Sequence, residues 1–306
     1  MPSTKMATGH YRMCNGPKSH AVHSTAVLIL SQLLEDRKKQ RLTMINFVEY
    51  PLSAVFLVSL VAILAASEIG RCLGVRASTR SGDSHSTLEA AIMGLLALMI
   101  SFTFAMALTR FDARRDALIN EANAITTTAL RARLLPAPHG TESLKLLRDY
   151  VQLRIDYTEK IASPQESNAA IVRSTLVQEA LWQQARAAAV KDNGMVPTGL
   201  YIQTLNEMID DQEARLNAVR NHVPNAVLLA LYGIAAIASG FSGYGVGFAH
   251  RQSRSLYSRL PVYTMGVLIC AVILLIQDLD RAGEGFITVS PQAMIDAAAT
   301  IAGYVD

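Results

Sequence analysis

Charged residues are scarce in this chain. Asp, Glu, Lys and Arg make up 17% of its 306 residues, against roughly one quarter in an ordinary soluble domain. The deficit excludes a long solvated polar chain, and the 51% of hydrophobic residues must find either a core or a bilayer. Cysteine is nearly absent. Cys14, Cys72 and Cys270 lie far apart with no C-x-x-C spacing, which excludes a disulfide framework. The seven histidines form no H-x-x-x-H or H-E-x-x-H pattern, so no metal site is expected. There is no G-x-S-x-G and no P-loop. Gly243, Gly245 and Gly247 alternate inside an apolar run rather than after a strand, so they do not read as a nucleotide loop. The net charge is only +3, and the basic residues flank apolar runs, where they orient a membrane protein rather than bind nucleic acid. No enzyme, cofactor or nucleic-acid partner is therefore expected.

What the chain does have is long uncharged runs. Residues 1–46 are polar and carry the basic run Arg37, Lys38, Lys39 and Arg41 before Met44. They are expected to be a disordered tail or to precede the true start. Phe47 to Ile69 and Leu88 to Leu108 are each long enough to span a bilayer, and the short Ser-, Gly- and Arg-rich connection between them predicts a hairpin. Ala226 to Phe248 and about Tyr257 to Ile276 predict a second pair. The expected class is an all-α membrane protein: a first transmembrane hairpin over 47–108, a soluble helical segment over 109–223, a second hairpin over 224–277 and a C-terminal tail over 278–306. The third span is rich in small residues. Gly243 and Gly247 form a G-x-x-x-G pair that permits close helix approach, although small residues also line pores.

No breaker interrupts the second run until Pro136, which predicts that this helix continues out of the membrane. Phe111, Leu118, Ile125 and Ala132 recur every seven residues and form a packing stripe. Helices are also expected over 142–162, from Ser163-Pro164 onward, and over 200–222. In the last of these, Ile202, Leu205, Ile209, Gln212, Leu216, Val219 and Val223 make a coiled-coil-like seam with Gln212 as its polar exception. The seam serves either packing within the bundle or a partner.

Three groups stand out as candidate sites. Arg110, Arg114 and Glu121 belong to a charged cluster at the membrane exit, in which Arg114, Glu121 and Thr128 share one helix face. The cluster reads either as a solvated face with local ion pairs or as a charged ring at the exit of an ion pathway. Phe102 and Phe104 lie mid-span, as a hydrophobic constriction or as lipid contacts. Asp278 and Asp280 form an acidic cluster at the end of the last span. They are placed either to bind a cation or pair with Arg110 or Arg114, or simply to supply interfacial polarity. The flanking arginines are equal in number on the two sides of the membrane, so charge does not fix the orientation.

The stretch ISFTFAMALTRFDARRDALINEANAITTTALRARLLP resembles the signature of the bacterial bestrophin-like membrane proteins. QDLDRAGEGFITVSPQ resembles the same family's ending, with Ala282 where the family usually has proline. Arg110, Phe111, Ala113 and Arg114 resemble, more distantly, the Arg-aromatic-x-x-Arg sequence of bestrophin channels. The resemblance implies a homo-oligomer, as in a pentamer, with an anion- or cation-conducting pore lined by the second span. It implies a multi-pass protein of the bacterial inner membrane with its soluble segment in the cytoplasm. The calcium clasp of animal bestrophins is echoed only by Asp278 and Asp280 and is not carried over. The alternative is a non-conducting signalling or scaffold protein that uses the soluble helices, with the seam from Ile202 to Val223 as its contact.

Overall fold

The computed structural model describes residues 50–77, 83–159, 164–191, 195–249, 259–283 and 285–304. The tail at 1–46, the start of the first expected span, Ser163 and Tyr257 lie outside the described residues. The helices are α1 (Leu52–Arg76), α2 (Asp83–Ala132), α3 (His139–Glu159), α4 (Pro164–Lys191), α5 (Leu200–Arg220), α6 (Asn225–Ala249), α7 (Leu260–Asp280) and α8 (Gln292–Ala302). A π-helical turn, Met195–Gly199, leads into α5. Four segments among the described residues are long and apolar enough to cross a membrane: α1, the greater part of α2, the run that ends in α6, and α7. The all-helical, four-span class is as expected.

The 50 residues of α2 reach about 75 Å at the 1.5 Å rise of an α-helix. That is more than twice a hydrocarbon core of about 30 Å. The helix therefore leaves the membrane unbroken, as the absence of any breaker before Pro136 dictates. Pro164 opens α4, where a missing N–H costs nothing. Pro261 sits in the first turn of α7 for the same reason.

Packing in the membrane-spanning part crosses the two sequence pairs. α1 lies along α6 and also touches α7; α2 packs on α6 and α7, and no comparable contact joins α1 to α2. The α1–α6 seam is glycine-built. A Cβ at Gly70 would collide with the Gly240 carbonyl, one at Gly243 with the Ser67 carbonyl, and one at Gly247 with the Arg71 carbonyl. Small residues on both helices thus bring backbone against backbone, which supplies the dispersion contact that lipid cannot outcompete. Gly70 and Gly74 on α1 complete the motif that Gly243 and Gly247 announce on α6.

The soluble part is one helical core. Leu118, Ile125, Ala129 and Ala132 of α2 meet Leu144, Leu147 and Val151 of α3, Leu181 and Ala185 of α4, and Tyr201, Leu205 and Met208 of α5. The seven-residue stripe is buried at Leu118, Ile125 and Ala132, with Phe111 half-buried. The tail contributes to this core as well. Met294, Ala297 and Ile301 of α8 enter the same core, and α8 packs on α2 and α3.

Candidate functional site

α2 carries two opposite faces past the membrane exit. Arg114, Leu118, Glu121, Ile125 and Thr128 are buried, whereas Asp112, Asp116, Asn120, Asn123 and Thr127 are exposed. The exposed stripe continues back through the apolar stretch as Ala105, Phe102, Leu98, Gly94 and Ala91, at the three-to-four spacing of a single face.

On the buried side Glu121 is fully enclosed. It accepts from Arg154 Nε at 2.5 Å and Nη2 at 3.2 Å, and from Arg215 Nη1 at 2.6 Å. Both guanidiniums also lie over the Tyr157 ring, at 4.8 and 5.7 Å from its centroid. Arg215 Nη2 donates to Thr158 at 2.5 Å. The Tyr150 hydroxyl donates to Gln212 at 2.6 Å, and Gln178 donates to the same Gln212 oxygen at 2.7 Å. Burial pushes the Tyr150 phenol far above its ordinary value, with the nearby Glu121 charge adding to the effect. Burial pulls the Arg154 guanidinium down, but the Glu121 carboxylate and its hydrogen bonds more than offset this. Charges this deep persist only when paired and hydrogen-bonded. The network ties α2, α3, α4 and α5 together, and Gln212 is the polar exception in the seam because it closes that network.

These placements sort the expected residues. Arg114 (4% exposed) and Glu121 (0%) point into the chain, so they do not belong to the face that α2 presents outward. The reason is that Arg114, Glu121 and Thr128 each follow a residue of the core stripe, Phe111, Leu118 and Ile125, by three positions and so share its side of the helix. Arg110 is half-buried and donates to Asn221. Phe102 is 64% exposed, while Phe104 is half-buried. Two residues along a helix turn through about 200°, so the two rings do not share a face. The seam from Ile202 to Val223 is spent inside the chain, largely against α2, and so does not offer the scaffold reading its contact.

Asp278 and Asp280 are both buried, at 3%. Asp278 accepts the Phe286 N–H at 2.8 Å and the Ile287 N–H at 2.9 Å. The chain returns to it through Gly283, whose φ of 86° favours glycine. Asp280 accepts the Val223 N–H at 2.8 Å. The acidic pair therefore braces backbone. No group of three or more His, Cys, Asp or Glu residues positioned for a metal occurs among the described residues. Sequence reasoning missed Arg154 and Arg215. The available signal was position: Arg154 falls on the inward face with Tyr150, Val151 and Ile155, and Arg215 sits beside Leu216 in the seam.

A family model, the Bestrophin-like domain, matches residues 55–294. The chain belongs to the bestrophin-like family. No curated protein matches it significantly in sequence. Among solved structures it is similar to a bacterial bestrophin homologue from Klebsiella pneumoniae, at 15% identity and a TM-score of 0.58, covering 80% of this chain and 95% of that one. A tryptophan-to-alanine variant of that homologue gives 16% identity and a TM-score of 0.55 over 83% and 97%. A crystal structure described as a membrane protein gives 14% and 0.58 over 82% and 97%. At such identities the likeness speaks for the bestrophin-like fold and leaves the chemistry to this chain's own residues.

Proposed function

We propose that this bestrophin-like protein is an ion channel of the bacterial inner membrane, formed by several copies around a pore lined by the exposed face of α2, with the soluble core in the cytoplasm. It is read as a channel and not as an enzyme. The observation that carries this is the unbroken exposed stripe of a single helix. It is apolar through the membrane, with Phe102 as its one aromatic, and then turns polar at Asp112, Asp116, Asn120, Asn123 and Thr127. A symmetric ring of copies would convert each residue of this stripe into a ring around the axis. In such a ring Phe102 would make the hydrophobic constriction, and rings of Asp112 and Asp116 would stand at the cytoplasmic mouth.

Asp112 and Asp116 outnumber Arg115, the exposed arginine between them, so the charge of that face favours cations. Carboxylate rings attract cations and repel anions at a pore mouth. Arg114, the residue that would have favoured anions, is turned inward. The buried network ties the other side of α2 to α3 and α5. Reconstitution in liposomes tests the reading. Potassium flux above that of empty vesicles, with chloride flux lower, is expected from protein shown to be oligomeric in detergent. A monomer without flux would refute it.

A further inference from the structure

A second polar feature lies beside the buried network and has no part in the pore. A cavity of about 290 Å³ opens between the α2 exit, the end of α3, α5 and the turn after α7. Three arginines line it, Arg114, Arg215 and Arg281, and no Asp or Glu does among the described residues. The rest of the wall is largely apolar, with Phe111, Leu118, Val219, Ile287 and Val289.

The arginines are not equally committed. Arg215 is held by Glu121 and Thr158. Arg281 donates to the Tyr50 carbonyl at 2.6 Å. Arg114 donates through Nη2 to the Leu279 carbonyl, but its Nη1 is buried without a hydrogen-bond partner. The neighbouring carboxylates hydrogen-bond elsewhere, Asp280 to the Val223 N–H and Asp278 to two further backbone N–H groups, and Asp280 reaches Arg114 through its charge alone. A buried guanidinium with an unspent donor is costly, and Arg114 lines a cavity large enough for a small molecule.

We propose that this cavity binds a small aliphatic monocarboxylate, with the carboxylate on Arg114 Nη1 under the field of Arg215 and Arg281 and the hydrocarbon against Leu118, Val219 and Ile287. One unspent donor calls for a single negative charge, and the apolar wall calls for a hydrocarbon body. The site is independent of conduction and stands whether or not the chain forms a pore.

Thermal unfolding of the purified full-length protein in detergent tests it, with sodium butyrate as the probe. Sodium chloride at equal ionic strength and the uncharged isostere butyramide serve as comparisons. A saturable rise in melting temperature with butyrate is expected, as for any ligand bound only by the folded state, with little response to chloride or butyramide. Arg114→Gln should abolish the rise, and so should Ile287→Trp, which fills the cavity and leaves all three arginines unsubstituted. No saturable rise in the wild-type protein would overturn the proposal. So would an equal rise with chloride or butyramide, or an undiminished rise in a folded variant of either kind.

Discussion

α1 and α2 are both uninterrupted helices with a long apolar stretch, yet their surroundings are opposite. α1 is closed on one side against α6 by glycines that allow no added atom and is apolar where it is exposed, at Leu57, Val61 and Leu73, whereas α2 leaves open a face that turns polar at Asp112 and Asp116 and buries its ion pairs on the other. The contrast teaches that apolar character alone places a helix in the membrane. The distribution of small and charged residues around the helix then decides whether it is a structural strut or a functional wall.

The largest effect is expected where the closed seam is forced apart. Gly70→Leu should prevent recovery of folded, monodisperse protein in detergent, because the obstacle at Gly70 is the Gly240 backbone. Gly233→Ala on α6, where a Cβ meets nothing within 4 Å, should elute like the wild type. Next comes the buried face of α2. Glu121→Ala leaves Arg154 and Arg215 facing each other and should cost about 3–5 kcal/mol, read as a fall in the denaturation midpoint. Asp278→Ala strips two backbone N–H groups of their acceptor and should cost roughly 1–3 kcal/mol. It should also raise hydrogen exchange at Phe286 and Ile287. The smallest effect on stability is expected on the open face. Asp116→Asn should stay within about 0.5 kcal/mol of the wild type, and Phe102→Ala should raise flux without lowering the midpoint. A large loss of stability at Asp116 would show that this face is packed after all.

Much of this was legible in the sequence. Apolar runs located the spans, Pro164 marked a helix start and Pro136 a helix end, and the period of Leu118, Ile125 and Ala132 gave the buried stripe of α2. The family likeness lay in the stretch around Arg110. What was not legible depends on pairing between distant elements. A charge at Glu121 reads as solvated until Arg154 and Arg215, 33 and 94 residues away, arrive to pair with it. Asp278 and Asp280 look like a cation site until their oxygens are seen to hold backbone N–H groups. α8 does carry a period, Met294, Ala297 and Ile301, but it is short and alanine-rich, so the stripe is easily passed over in the sequence. Nor did sequence proximity reveal that α1 would choose α6 as its neighbour, since that choice rests on Gly70 and Gly240 meeting.

The central claim is that the open face of α2 meets the conducted ion. The direct measurement is the reversal potential of the reconstituted protein under a potassium chloride gradient, for the wild type and for the Asp112→Asn, Asp116→Asn double variant. The account predicts cation preference in the wild type and a shift toward the non-selective value in the variant, with the denaturation midpoint unchanged. An anion-selective wild type, or a double variant that conducts with unaltered selectivity, would contradict it.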